Sequence, residues 1–278
     1  MQPRSTYTEA AGYEIHVTEW GELDRPALLL WHGLARTGRD FDETASALAE
    51  THFVLCPDTI GRGLSSWAKP EEYNPAVYVQ IALALLDAYA VTRFSFVGTS
   101  MGGIIGMLLA SGPAKGRINR LVLNDIAPVL DPKALKRIGT YVAAPPAFDR
   151  VSAFEAWLRE TYAPFGPNTD AFWRRMAETS VRRLPDGRLT VHYDPAIAEG
   201  FAALDDDAEG DLWAQYDAIT APTLVFRGAD SDLLPAGVAD EMRVRGPRPR
   251  IHTLPGIGHA PTLANDEQIG LLKDFLVS

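Results

Sequence analysis

The sequence predicts an α/β fold with a mostly parallel central sheet and helices on both faces. Short, continuous apolar runs recur along the chain, as is typical of strands that are buried on both faces. Most of these runs are separated by segments with helical patterning, and strands joined through a helix run parallel. Between about 126 and 217 the buried strands stop and proline-punctuated helical segments replace them. This change predicts a helical insertion in the sheet pattern.

The composition is that of an acidic globular protein. The chain has 278 residues, of which 46% are hydrophobic, and its formal net charge is 26 − 36 = −10. A chain of this size can bury one large core, and its charge disfavours nucleic acid and anionic membranes as partners. There is no apolar signal-peptide core at the N-terminus and no apolar run of the ~18 residues that a membrane span needs. We expect a cytoplasmic protein with a small-molecule substrate. The sequence leaves open whether the protein forms a homo-oligomer.

The first half of the chain supplies most of the predicted sheet. The expected elements are an antiparallel strand at 13–20, buried strands at 27–33, 52–58, 93–100 and 117–125, and helices at 41–49, 75–90 and 101–111. Asn74 is the predicted N-cap of the second helix, with Pro75 at its first position. The third helix is expected to end where glycine and proline follow it at 112–113.

Three units are expected along the chain: a core at 1–126, a helical cap at 127–217 and the rest of the core at 218–278. In the cap, Ser152 and Glu155 have the spacing of a capping box. The segment is rich in aromatic residues, which favour an apolar pocket: Trp157, Tyr162, Phe165, Phe172, Trp173, Tyr193, Phe201 and Trp213. Strands at 222–228 and 250–256 and helices at 236–245 and from 266 complete the core.

The sequence GTSMG at 98–102 fits the pattern G-x-S-x-G between a predicted strand and a predicted helix. A sharp strand-to-helix turn lifts the central residue above the sheet edge, and its glycines avoid steric clashes. Ser100 is therefore the candidate nucleophile. A serine hydroxyl is a weak nucleophile at neutral pH, so it needs a histidine base, an acid that orients this base, and donors for an oxyanion.

Four motifs occur in order along the chain. They are His32-Gly33 after one strand, Pro57-Asp58 with GRG at 61–63 and Ser65 after the next, GTSMGG at 98–103, and GHAP at 258–261. With these motifs the chain resembles the α/β-hydrolase superfamily, over essentially its whole length outside the insertion. The resemblance implies an α/β-hydrolase fold in which the insertion is a cap over the sheet edge.

The resemblance also implies roles for residues around the nucleophile. His259 follows the last predicted strand, where the superfamily keeps its general base, and an imidazole titrates near neutrality. The backbone N–H groups of Leu34 and Met101 are the implied oxyanion hole, and His32 shapes the loop that carries Leu34. The other histidines lie in strand-like or polar contexts and are expected to be structural or solvated: His16, His52, His192 and His252.

Two locations compete for the acid of the triad. Many members of the superfamily carry an aspartate three residues after a strand-ending glycine, but this chain has Ser231 there, between Asp230 and Asp232. Asp125 ends the strand that follows the nucleophile helix, 125 − 100 = 25 residues after Ser100. Some relatives, including dehalogenases, place the acid at that strand. Asp125 is therefore the predicted acid, and Asp232 and Asp230 are the alternatives.

Three other polar residues have interpretations outside the triad. Cys56 lies among apolar residues and is expected to be a buried structural thiol. Asp58 is expected to support the glycine-rich turn that follows it. For Arg36, a solvated side chain is preferred over a role in binding a substrate anion.

The expected function is that of a serine hydrolase that cleaves a carboxylic ester or related acyl bond of a small, largely apolar substrate through an acyl-enzyme. The same triad could serve a lactonase, a carbon–carbon bond hydrolase or an amidase, and a non-catalytic ligand-binding protein on this scaffold is a further alternative. Dehalogenation is disfavoured, because its relatives carry an aspartate where Ser100 stands. The chain has no H-E-x-x-H, paired C-x-x-C or Walker motif, so no metal and no cofactor is expected.

Overall fold

The computed structural model describes residues 2–202 and 210–277. Within them lie twelve strands: β1 (Arg4–Ala10), β2 (Tyr13–Trp20), β3 (Ala27–Trp31), β4 (Phe53–Pro57), β5 (Phe94–Thr99), β6 (Ile118–Asn124), β7 (Val129–Leu130), β8 (Val181–Arg183), β9 (Leu189–Val191), β10 (Gly210–Asp211), β11 (Thr223–Gly228) and β12 (Arg250–Leu254). The helices in the same residues are α1 (Asp42–Leu48), α2 (Pro75–Ala88), α3 (Met101–Ser111), α4 (Pro132–Ala143), α5 (Val151–Thr161), α6 (Asp170–Thr179), α7 (Glu199–Ala202), α8 (Trp213–Asp217), α9 (Ala236–Met242) and α10 (Asp266–Val277). Short 3₁₀ helices lie at Gly38–Phe41, Pro70–Glu72, Ala163–Phe165 and Pro195–Ala198.

Eight strands form the central sheet, in the order β1-β2-β4-β3-β5-β6-β11-β12. β1 pairs antiparallel with β2, and β2 pairs antiparallel with β4. Every other neighbouring pair in this sheet is parallel. The predicted fold class, a mostly parallel sheet in an α/β protein, is therefore confirmed.

The core lies on both faces of the sheet. In β3, Leu28 and Leu30 belong to a cluster that also contains residues of α1 and α10, whereas Leu29 and Trp31 belong to a cluster with residues of α2 and α3. Successive side chains of a strand point to opposite faces, so a strand covered on both sides must be apolar throughout. This is the physical reason for the continuous apolar runs in the sequence.

β1 is not apparent from the sequence. Its residues are mostly exposed, because the strand lies at the edge of the sheet and pairs only with β2. The two strands are joined by Ala11 and Gly12, both at positive φ, +53° and +85°. Two such residues form the type I′ turn of a tight hairpin. An edge strand buries little apolar surface, so its sequence carries little signal.

The segment 127–217 contains no strand of the central sheet among its described residues, and residues 203–209 lie outside the description. It pairs β7 with β10 and β8 with β9, and a third apolar cluster joins α4, α5 and α6. The boundaries at 126/127 and 217/218 stay a prediction. No helix within residues 2–202 and 210–277 is both long enough and apolar enough to cross a membrane.

Two predicted helix caps have different outcomes in the structure. Asn74 caps α2, accepting a hydrogen bond from the backbone N–H of Val77 at 3.1 Å. The predicted capping box at Ser152 is wrong, because α5 begins at Val151 with Arg150 as its N-cap. Glu155 instead accepts hydrogen bonds from Arg159, one turn later in the same helix.

Candidate active site

Ser100 lies at the sharp turn between β5 and α3. Its backbone has φ +53° and ψ −114°, a conformation that non-glycine residues rarely adopt. A Cβ on Gly102 would lie 2.1 Å from the carbonyl oxygen of Trp31, so only glycine lets α3 pass so close to β3. The turn is tied to β6, because the backbone N–H of Ser100 donates to the carbonyl of Asn124 at 2.9 Å.

Three side chains from distant parts of the chain form one hydrogen-bonded series. The distance from Ser100 Oγ to His259 Nε2 is 2.8 Å, and from His259 Nδ1 to Asp125 Oδ2 it is 2.7 Å. An ionised carboxylate can only accept, so Nδ1 carries the proton and donates it to Asp125. Nε2 is then free to accept the hydroxyl proton of Ser100. Asp125 is fully buried, and His259 keeps 21% of its side chain exposed.

Both oxygens of Asp125 are held by the end of β11. Oδ1 accepts from the backbone N–H of Gly228 at 2.8 Å, and Oδ2 accepts from Ser231 Oγ at 2.6 Å. The Ser231 oxygen in turn accepts from the backbone N–H groups of Leu233 and Leu234, at 3.2 and 3.3 Å. These two donors leave the hydroxyl proton of Ser231 directed at Asp125. The sequence marks Ser231 only as a departure from the superfamily pattern.

The alternative acids lie elsewhere around the cavity. Asp232 is half-exposed and forms an ion pair with Arg137 of α4. Asp230 lines the same cavity, and its backbone N–H donates to the carbonyl of Ile257. Of the three candidates, Asp125 is the one hydrogen-bonded to His259 in the described structure.

Leu34 and Met101, whose backbone N–H groups are the implied oxyanion hole, follow residues that lie at the serine, Gly33 and Ser100 itself. Trp31 is paired with Gly98 in the sheet, and a Cβ built on Gly33 would lie 3.8 Å from the Cβ of Ser100. Within the part of the chain that the structure describes, neither N–H donates to a protein acceptor. Both donors are therefore free for a ligand oxygen. Met101 is also the first residue of α3, where the helix dipole favours negative charge.

His32 holds the loop that carries Leu34. Its Nε2 accepts from the backbone N–H of Thr59 at 2.9 Å, so its Nδ1 must carry the proton, which it donates to the carbonyl of Gly33 at 2.7 Å. That carbonyl belongs to the same peptide unit as the N–H of Leu34. Burial lowers the pKa of His32 from 6.5 to about 4, so the imidazole is neutral at pH 7.

A cavity of about 560 Å³ opens over these groups. Its lining includes Ser100, His259 and Leu34, with Tyr162, Phe165 and Phe172 from the insertion. Four other aromatic residues named in the sequence analysis do not line it: Trp157, Trp173, Tyr193 and Trp213. The side chain of Phe201 lies outside the description.

The preferred interpretation of Arg36 as a solvated side chain is wrong. Arg36 is only 7% exposed and lines the cavity. Its guanidinium donates to both oxygens of Asp40, at 2.8 and 2.7 Å, and to Ser180 Oγ at 2.9 Å. It also lies over the ring of Tyr162. Two of these partners belong to the insertion, 126 or more residues away, so the local sequence cannot reveal the burial.

Other titratable groups of the core have structural surroundings. Asp58 is buried and accepts from the backbone N–H groups of Gly38 and Leu64, and it is paired with His16 at 2.8 Å. Burial alone would raise the pKa of Asp58. The hydrogen bond with His16, together with His32 and the backbone N–H of Leu64, outweighs burial, and the pKa is lowered. Burial raises the pKa of the Cys56 thiol well above its usual value, so the thiol stays protonated. The described residues contain no group of three or more His, Cys, Asp and Glu side chains that could hold a metal ion.

Comparison with known proteins identifies the family. Residues 28–269 match the model of the alpha/beta hydrolase family. The chain belongs to the alpha/beta hydrolase family. The resemblance predicted from four short motifs is thereby confirmed, and the match includes strands of the central sheet on both sides of the insertion.

Relatives of this alpha/beta hydrolase span nearly its whole length. A 3-hydroxybutyrate-oligomer hydrolase of Cupriavidus necator is 40% identical over 266 residues, which cover 92% of this chain and 90% of that protein. A 2-hydroxymuconate semialdehyde hydrolase of Pseudomonas putida is 26% identical, covering 96% and 92%. The crystal structure of an alpha/beta hydrolase from Novosphingobium aromaticivorans superimposes with a TM-score of 0.88 at 37% identity, covering 99% and 98%.

Proposed function

We propose that this alpha/beta hydrolase is a serine esterase that cleaves the carboxylic ester of a small, largely apolar substrate through an acyl-enzyme on Ser100. The observation that carries the proposal is the hydrogen-bonded series from Ser100 through His259 to Asp125, which opens into the cavity. Serine and histidine side chains with a buried carboxylate in this order perform acyl transfer on several unrelated folds.

Each group of the site has a role in this mechanism. Ser100 Oγ attacks the ester carbonyl while its proton passes to His259 Nε2, and Asp125 stabilises the imidazolium that forms. The backbone N–H groups of Leu34 and Met101 bind the oxyanion of the tetrahedral intermediate. As this intermediate collapses, the leaving alcohol takes the proton from His259. Water, deprotonated by the same imidazole, then releases the acid and restores the serine.

The substrate class is supported by the cavity and by a relative. About 560 Å³ is within the range of cavities that hold small organic molecules, and aromatic and aliphatic side chains supply much of the lining. The Cupriavidus necator relative is named for the hydrolysis of 3-hydroxybutyrate oligomers, in which the bonds between units are carboxylic esters. Short oligoesters of hydroxy acids are therefore the first natural-type substrates to test on this chain.

The decisive experiment compares the wild-type protein with Ser100→Ala. We expect the wild type to hydrolyse p-nitrophenyl butyrate and a hydroxybutyrate trimer, and to react with a fluorophosphonate probe. Both activities and the labelling should be lost in Ser100→Ala. Labelling without turnover of any ester would favour a ligand-binding protein, and near-normal turnover by Ser100→Ala would refute the mechanism.

A further inference from the structure

Arg62 is a fully buried cation in the middle of the GRG motif. Among the described residues, no carboxylate lies within ion-pairing distance of its guanidinium. Its hydrogen-bond partners are the carbonyl oxygens of Leu34 and Ile60, the hydroxyl of Tyr78 and the sulfur of Met101. Burying a charge without a counter-ion is costly, so a purely structural need would be met more readily by an apolar side chain.

The turn that presents Arg62 is tightly constrained. The backbone N–H of Arg62 donates to the carbonyl of Thr59 at 2.9 Å, and the backbone N–H of Gly63 donates to the carbonyl of His192 at 2.8 Å. Gly63 has φ +53°, and a Cβ there would lie 2.1 Å from a carboxylate oxygen of Asp58. A glycine is required after Arg62 for this reason. The constrained turn directs the arginine side chain towards Leu34 and Met101.

The guanidinium links the two residues that supply the proposed oxyanion hole. Its Nε donates to the carbonyl of Leu34 at 2.9 Å, and one Nη lies 3.7 Å from the sulfur of Met101. The rings of Tyr73 and Tyr78 lie beside it, with their centroids 5.6 and 5.3 Å from its central carbon. These contacts hold the Leu34 loop against the start of α3, and the rings exclude water from the cation.

We propose that Arg62 is a positioning residue of the oxyanion hole, which fixes the separation of the Leu34 and Met101 donors and supplies an unneutralised positive charge behind them. This inference deepens the proposed function and rests on it. Negative charge develops on the substrate oxygen only in the transition state, so a preorganised cation nearby accelerates the chemical step more than it strengthens substrate binding. The effect of removing Arg62 should therefore appear in kcat and not in KM.

The test uses Arg62→Met, which removes the charge at similar length, and Arg62→Lys, which keeps the charge but loses the forked contacts. Arg120→Met is the matched control, because Arg120 donates to a carbonyl of α10 and has no contact with the oxyanion loop. For each variant, kcat and KM with p-nitrophenyl butyrate are measured per folded molecule, together with Tm. The affinity for an alkyl boronic acid, which forms a tetrahedral adduct with serine, and for butyrate, which does not, is measured as well.

We expect kcat of Arg62→Met to fall by about 10- to 100-fold, less than the 10²- to 10³-fold loss seen when an oxyanion donor itself is removed. KM and butyrate affinity should stay within about threefold, boronic acid affinity should fall in parallel with kcat, and Arg62→Lys should be intermediate. Arg120→Met should lower Tm without changing kcat.

An unchanged kcat and boronic acid affinity in a folded Arg62→Met would overturn the inference. If Arg62→Met does not fold, Arg62→Lys tests the positioning role by itself. Wild-type kcat and boronic acid affinity in that variant would overturn the inference, since they would show that the forked contacts do not fix the two donors. A failure of the proposed function is distinguishable, because it would appear first in the wild type as no ester turnover and no fluorophosphonate label on Ser100.

Discussion

The burial of the His32 imidazole predicts how much the free energy of unfolding falls at acid pH. In the unfolded chain its pKa is near 6.5, whereas burial lowers it to about 4 in the folded protein. Between these two values the unfolded state binds a proton that the folded state does not. The free energy of unfolding therefore rises with pH across this window. The contribution of His32 is fully present above pH 6.5 and is lost as the pH falls towards 4.

The size of the effect follows from the two pKa values. A difference of 6.5 − 4 = 2.5 units corresponds to about 3 kcal/mol in the low-pH limit, and roughly 2 kcal/mol of it should be lost between pH 7 and pH 5. A glutamine at position 32 can both donate and accept a hydrogen bond but does not titrate. Because all other groups are common to both proteins, the difference between wild type and His32→Gln isolates this imidazole.

The assay is urea unfolding at pH 7 and pH 5 for both proteins, with the free energy of unfolding extrapolated to zero urea. We expect His32→Gln to be less stable than the wild type at pH 7 and to lose about 2 kcal/mol less between pH 7 and pH 5. Equal losses in the two proteins would refute the reasoning, since they would mean that His32 binds a proton as readily in the folded as in the unfolded state.

Three further predictions concern the proposed acid Asp125, its partner Ser231 and the cysteine. Asp125→Asn should lower kcat by ~10⁴, because the wrong tautomer of the His259 imidazole would form. Asp232→Asn should change kcat less than about threefold, since an exposed ion pair contributes little. Comparable losses of kcat in the two variants would contradict the choice of Asp125 as the acid. Ser231→Ala should lower kcat by about 10- to 100-fold, because a hydrogen bond to a charged group is worth roughly 1.5–3 kcal/mol. An unchanged kcat would show that Gly228 alone orients Asp125. Cys56 should resist a disulfide reagent in the native protein and react on unfolding, and rapid native reaction would contradict its burial.

Much of the sheet and the positions of Ser100, His259 and Asp125 could be predicted from the sequence. Buried strands have continuous apolar runs, and the carboxyl ends of parallel strands meet at one edge, so residues that follow them converge. The structure brings these three side chains together. His259 is hydrogen-bonded to Asp125, 134 residues away along the chain, and to Ser100, 159 residues away. Their catalytic roles stay predictions.

Two contacts between distant segments that no sequence motif marks could not be predicted. The burial of Arg36 depends on Ser180 and Tyr162, which belong to the insertion. The hydrogen bond from Ser231 to Asp125 joins residues 106 positions apart. Its donor is a hydroxyl at the position where many members of the superfamily carry an aspartate. Local sequence patterns indicate which segments are buried and where the chain turns. They do not indicate which polar side chains from distant segments contact each other.

In the proposed mechanism an acyl group passes through Ser100, and trapping this acyl-enzyme tests the mechanism most directly. Wild-type protein is mixed with excess p-nitrophenyl butyrate, quenched with acid within one turnover, digested and examined by mass spectrometry. We expect a butyryl group on the peptide that contains Ser100, and none in Ser100→Ala. Ester turnover without an acyl group at Ser100, or with the group on another residue, would contradict the account.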